Sequence, residues 1–279
     1  MKRRLFEQEL KRVVQAFGIA TLTVFVTIAT VSCNRSDDLL VTEIGVSPSR
    51  SPIAKPTTAG DFFTQGQYLH IQGNGKGAIA AYNQAIKLNP KYAQAYNGRG
   101  LVYFDTGDKQ QAIEDYNQAI SLNSSNAVFY NNRGNARAAL GDRNGAIQDY
   151  DEAIRLAPNY AEAYNNRGNA RAVRGDRDGA IDDYSQAVRL NPKYAVAYNN
   201  RGNARAARGD IEGAIVDYNQ AIRLVPNFAA AYNNRGNALA AQGDKQRATA
   251  DLQRAASIFQ QQKNQEMYQQ VMKNISEIQ

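Results

Sequence analysis

The ten residues AYNNRGNARA occupy Ala163–Ala172 and recur, letter for letter, at Ala197–Ala206. They belong to a longer regularity, in which Tyr96, Tyr130, Tyr164, Tyr198 and Tyr232 stand 34 residues apart. A fixed period of this size constrains the fold more than any other feature, because each period is one unit that cannot bury its apolar face alone. Such a chain has no single compact core, and each unit buries its face against its neighbours. Length therefore says little about the number of domains.

The units run Ala59–Tyr92, Ala93–Asn126, Ala127–Tyr160, Ala161–Tyr194, Ala195–Phe228 and Ala229–Gln262, without an insertion. Inside each, apolar and small residues fall at helical spacing. Pairs at Gly107-Asp108, Gly141-Asp142, Gly175-Asp176, Gly209-Asp210 and Gly243-Asp244 divide the units in two. The glycine reaches the left-handed conformation that ends a helix, and the aspartate accepts the orphan backbone N–H groups that open the next. Pro90, Pro158, Pro192 and Pro226 stop the second helix. In the first unit QGNGKG, Gln72–Gly77, is a glycine-rich form of the same turn. No strand precedes it and no Gly-Lys-Ser or Gly-Lys-Thr follows, so it is not read as a phosphate loop. After the sixth unit, Met267, Val271, Ile275 and Ile278 form an apolar stripe. It predicts a helix within 263–279 that caps the stack.

The third unit carries Tyr130, Gly134, Ala146, Tyr150, Ala153 and Pro158. This set resembles the tetratricopeptide repeat, which places an aromatic, Gly, Ala, an aromatic, Ala and Pro at those offsets. The resemblance implies an all-α, right-handed superhelical solenoid of six helix-turn-helix repeats with a C-terminal capping helix. It further implies that the first helix of each repeat lines a concave side on which ligand peptides lie. Carried over by offset, that inner wall holds Asn97, Asn131, Asn165, Asn199 and Asn233, then Asn132, Asn166, Asn200 and Asn234, then Asn135, Asn169, Asn203 and Asn237. Asparagine is a poor interior helix former, so its repetition needs a reason. Its amide offers two donors and an acceptor to an extended main chain. The competing reason is hydrogen bonding between neighbouring helices. The carboxylate clamp of chaperone-binding relatives is not expected, because Phe63 and Asn97 stand where it needs lysine.

Arg99, Arg133, Arg167, Arg201 and Arg235 recur on another face of the first helix, and Asp115, Asp149, Asp183, Asp217 and Asp251 recur in the second. The shared period predicts a ladder of Arg–Asp pairs, with arginine stems on tyrosine rings, rather than phosphate contacts. The chain's formal charge is +7, and without residues 1–32 it has 28 basic and 24 acidic residues, interspersed. No nucleic-acid surface is expected from that balance. The one histidine, His70, and the one cysteine, Cys33, make neither a nucleophilic dyad nor a metal quartet. Neighbouring carboxylates such as Asp182 and Asp183 point apart on a helix. No enzyme activity, cofactor or metal is expected.

Residues 1–32 begin with basic residues and continue with an uncharged apolar run from Val13 to Ser32, the layout of an export signal. The run is also long enough for a retained membrane anchor. Ala29-Thr30-Val31-Ser32 before Cys33 resembles the bacterial lipobox, although Thr30 replaces the commoner leucine. The resemblance implies cleavage before Cys33 and lipidation of its thiol, several acyl chains together giving stable attachment. Asn34, where an aspartate would imply inner-membrane retention, points to the outer membrane. Residues 33–58, rich in Ser, Thr and Pro, read as a flexible tether. The expected protein is a scaffold held at a membrane outside the cytoplasm that binds extended segments of partner proteins for envelope or membrane-complex assembly. A structural, self-associating repeat protein is the first alternative. An anchored, cytoplasm-facing factor that helps to assemble photosynthetic complexes is the second.

Overall fold

The computed structural model describes residues 55–278; the export-signal segment, Cys33 and nearly all of the tether lie outside the described residues. The described residues are all-helical outside their turns: α1 (Ala59–Ile71), α2 (Gly75–Leu88), α3 (Ala93–Thr106), α4 (Lys109–Leu122), α5 (Ala127–Ala139), α6 (Arg143–Leu156), α7 (Ala161–Val173), α8 (Arg177–Leu190), α9 (Ala195–Arg208), α10 (Ile211–Leu224), α11 (Ala229–Ala241), α12 (Lys245–Gln261) and α13 (Gln265–Ile278). Successive helices pair as helix–turn–helix repeats, as the spacing predicts. The chain divides into two compact units, one ending at Ala170 and the other running on from Arg171.

The turn inside each repeat is made as its dipeptide dictates. Gly107 and Gly209 stand at φ 97° and 95°, where a side chain would be strained. The following Asp108 and Asp210 accept the N–H groups of Gln111 and Gly213 at 3.2 and 2.9 Å. In the first repeat Gly73 takes the glycine role at φ 74°. Asn74 replaces the aspartate and accepts from Gly77 N–H at 3.0 Å. The glycine-rich stretch is thus a helix turn. Each proline forces the residue before it to extended geometry: Asn89, Ala157, Asn191 and Val225 have φ between −128° and −136°, and the second helix ends there.

Packing within a repeat rests on a tyrosine laid against a glycine. Tyr82, Tyr116, Tyr150, Tyr184 and Tyr218 are fully buried. A Cβ on Gly100, Gly134 or Gly202 would lie 2.6–2.7 Å from the ring of Tyr116, Tyr150 or Tyr218. In the first unit the cores include Ala78, Tyr82 and Ala85, and Ala146, Tyr150 and Ala170. In the second they include Ala180, Tyr184 and Ala204, and Ala214, Tyr218 and Ala238. At the C-terminal end α13 buries Val271 and Ile275 against Leu252, Ala255 and Phe259, with Met267 and Ile278 at the edge. The apolar stripe is a capping helix, as expected, and its other face, with Gln269, Lys273 and Glu277, is exposed. Among the described residues no helix is long and apolar enough to cross a membrane.

Candidate protein-interaction face

The periodic arginines meet the periodic aspartates. Arg99, Arg133, Arg201 and Arg235 each grip the aspartate sixteen residues on, Asp115, Asp149, Asp217 and Asp251, through two parallel N–H···O bonds of 2.6–3.0 Å. This two-pronged geometry is what the guanidinium fork supplies and lysine cannot. Each guanidinium also lies 5.5–5.6 Å from the ring centre of the tyrosine three residues earlier. The Arg–Asp ladder and its tyrosine packing therefore form as predicted. The free Nη1 reaches back to the preceding repeat, to Asn117 from Arg133 at 2.8 Å and to Asn219 from Arg235 at 2.6 Å. Arg167 reaches Asp151 in the same way at 2.6 Å. One arginine thus joins two repeats.

Sequence reasoning missed a second arginine series. Arg137, Arg171 and Arg205 place Nη1 at 2.9, 2.9 and 2.8 Å from Asp149, Asp183 and Asp217. The signal was present, since Arg137 follows Arg133 by four residues and so shares its helix face. Burial pushes the Asp115 carboxyl up, and the Arg99 bonds only partly pull it back. Those same bonds hold the Arg99 guanidinium above its ordinary value. At this pair burial opposes the attraction between the two charges.

The asparagines separate into three environments. Asn97, Asn131, Asn165, Asn199 and Asn233 are buried. The second series bonds to the first: Asn132, Asn166 and Asn234 donate Nδ2–H to Asn97, Asn131 and Asn199 at 2.9–3.0 Å. Asn132 is buried, and Asn166, Asn200 and Asn234 are half-buried. The third series differs. Asn135, Asn169, Asn203 and Asn237 are half-buried, as Asn166, Asn200 and Asn234 are, but bond to different partners. Asn135 and Asn203 accept the phenolic O–H of Tyr150 and Tyr218 at 2.8 Å through Oδ1. Asn237 accepts from Asn274 Nδ2 at 3.3 Å, and Asn169 is engaged as well. The phenols of Tyr150 and Tyr218 are pushed far above their ordinary range by burial, so they keep the proton they donate.

His70 is buried on α1, with Nε2 2.7 Å from Asp105 on α3, and ties the first two repeats together. Among the described residues no group of three His, Cys, Asp or Glu side chains could hold a metal ion. In the second unit a cavity of about 280 Å³ opens beside Ile215, Leu239 and the Arg235–Asp251 pair. Leu239, at the offset of the second arginine series, is among its lining residues.

Helix pairs repeated at a fixed interval, each locked to the next by side-chain ladders, define a helical-repeat protein. The family model described as TPR repeat matches residues 66–107, 100–141, 134–173 and 202–243, and models described as tetratricopeptide repeat match residues 161–194 and 228–261. The chain belongs to the tetratricopeptide repeat family, whose members are generally non-enzymatic scaffolds for protein–protein interaction. Among solved structures, MamA is similar at 27% identity and TM-score 0.53, over 59% of this chain and 96% of that one. YrrB, described as "a TPR protein with an unusual peptide-binding site", is similar at 22% identity and TM-score 0.54, over 70% and 99%. PilF of Pseudomonas aeruginosa is similar at 18% identity and TM-score 0.67, over 77% and 96%. No curated protein matches the sequence.

Proposed function

We propose that this protein is a membrane-tethered scaffold that holds extended segments of partner proteins against the first helices of its repeats, in the assembly of envelope or membrane complexes. The observation that supports the reading is the third asparagine series, Asn135, Asn169, Asn203 and Asn237, which is only partly buried and recurs every 34 residues. A side-chain amide repeated at the interval of the fold matches a ligand that is itself repetitive, namely a polypeptide main chain. The peptide-binding site of YrrB is in keeping with this use of the fold. The basic start, the apolar run and the lipobox-like residues before Cys33 support tethering through a lipid on Cys33 or through the retained apolar segment. The scaffold is then held outside the cytoplasm, at the outer membrane in a cell that has one. Photo-crosslinking from position 135 and, separately, from position 203 in cells tests the first part, and a partner protein captured at each is the expected outcome. Recovery of copies of this chain alone would favour the self-associating alternative. Mass spectrometry of the mature N-terminus tests the second part, with acyl chains on Cys33 expected.

A further inference from the structure

We infer that the cavity of the sixth repeat receives the guanidinium of an arginine from a partner protein, which completes from outside a pair that interior repeats complete for themselves. This rests on the family's role as a scaffold for other proteins and not on the asparagine series. The cavity, of about 280 Å³, lies among α10, α11 and α12, all in the unit that runs on from Arg171. By offset, it is a groove that three earlier repeats fill. Leu239 stands where Arg137, Arg171 and Arg205 stand, and Ala250 where Gln148 stands in the third repeat. In the fifth repeat Oδ2 of Asp217 accepts from Arg201 Nε at 2.9 Å and from Arg205 Nη1 at 2.8 Å. The same Nη1 lies 3.3 Å from the carbonyl oxygen of Gly213. Arg137 meets Asp149 and the Gly145 carbonyl in this way, and Arg171 meets Asp183 and the Gly179 carbonyl.

In the sixth repeat the acceptors remain and the second donor does not. Oδ2 of Asp251 accepts from Arg235 Nε at 2.7 Å, and among the described residues no second arginine reaches it. Arg247, whose carbonyl stands at the offset of Gly213, lines the cavity together with Asp251. The Asp251 side chain is 11% exposed against 1% for Asp217, so solvent reaches a carboxylate that Arg205 seals one repeat earlier. Leu239 is buried; it takes the place of an arginine stem and brings no head group. A head group enters from the solvent side, past Ala250, which is exposed. The Arg247 side chain is also at this rim, but its Nε bonds the Asp244 carboxylate, so its charge is already met. Pairing with Arg235 does not exhaust Asp251, because a carboxylate has further lone pairs and Asp149 and Asp217 each hold two arginines. Arginine fits better than lysine: its fixed fork of N–H groups serves a carboxylate and a carbonyl at once. Its stem finds apolar contact on Ile215 and Leu239.

The test is titration of the full chain, methyl-labelled at isoleucine, leucine and alanine, with N-acetylarginine amide, read by nuclear magnetic resonance. Saturable shifts at Ile215, Leu239 and Ala250 are expected. N-acetylcitrulline amide, of the same shape without the charge, should bind about tenfold more weakly, the worth of one hydrogen bond to a charged group. Leu239→Arg supplies the missing guanidinium from α11, and should abolish the response at Ile215 and Ala250 and raise the melting temperature. Ala250→Phe closes the opening from the exposed rim, so it tests the site independently of how an arginine packs at position 239. It should abolish the response with the melting temperature unchanged. An absence of saturable shifts, equal binding of the citrulline amide, or an undiminished response in either variant overturns the inference. So does a dimer of this chain that Leu239→Arg dissociates, since a second copy would then be the occupant. Crosslinking from positions 135 and 203 is untouched by any of these results, so the scaffold reading stands or falls separately.

Discussion

Gly134 and Tyr150 set the tolerance of the repeat at its tightest point. A methyl group on Gly134 would sit 2.6 Å from Cε1 of a ring that is 2% exposed and hydrogen-bonded through its hydroxyl to Asn135. The ring cannot swing away without giving up that bond. Gly134→Ala should therefore destabilise the protein by about 2–3 kcal/mol in urea titration. Gly141→Ala, with open space but a φ of 86°, should cost about 1–2 kcal/mol from backbone strain alone. The aspartates make a second comparison. Asp149 holds both Arg133 and Arg137, whereas Asp115 holds only Arg99. Asp149→Asn should cost about 3 kcal/mol or more, because it strands two partly buried cations. Asp115→Asn should cost less, and equal losses for the two would argue against the double grip. The first arginine series was legible because its period matched that of the aspartates. The roles of the asparagines were not, since hydropathy and spacing are identical for an amide facing a helix and one facing solvent.

At the level of the element, each helix is specified by its ends more than by its middle. α1 opens with a capping box in which Thr58 accepts from Asp61 N–H at 3.1 Å and the Asp61 carboxylate accepts from Thr58 N–H at 2.9 Å. The backbone N–H groups of Thr58 and then Thr57 hold the Asp61 carboxyl below its ordinary range. A depressed folded pKa contributes stability that is complete above the unfolded value and is lost as pH falls through the folded one. The protection of amides at the start of α1, taken relative to their intrinsic exchange at each pH, should therefore fall as the solution is acidified below the ordinary carboxylate range, before the buried helices respond. In an Asp61→Asn variant that acid step should be missing. The far end behaves differently. α13 covers Leu252 and Phe259 with Val271 and Ile275, so a chain ending at Gln262 should expose them and aggregate on concentration, as light scattering would show. The caps and the final stripe were readable in sequence, because both depend on residues within a few positions of one another.

For the molecule as a whole, the decisive property is that packing and hydrogen bonds run between sequence neighbours at intervals set by the repeat. Deleting Ala195–Phe228 joins Tyr194 to Ala229, two residues that each precede or open an equivalent first helix. The shortened chain should fold, with helical circular dichroism reduced in proportion to the residues removed and a modestly lower melting temperature. Collapse of the whole helix signal would show that cooperativity extends beyond nearest neighbours. The sequence by itself determined the period, the helix pairs, their turns and the cap, because those follow from local conformational preference and from the spacing of apolar residues. It also determined that arginine and aspartate would meet, since a shared period brings them back together in every repeat. Only the tertiary structure decided which amides are fully enclosed and which group each of them bonds. That choice depends on where a tyrosine hydroxyl from another helix comes to rest, a distance that no count along the chain contains.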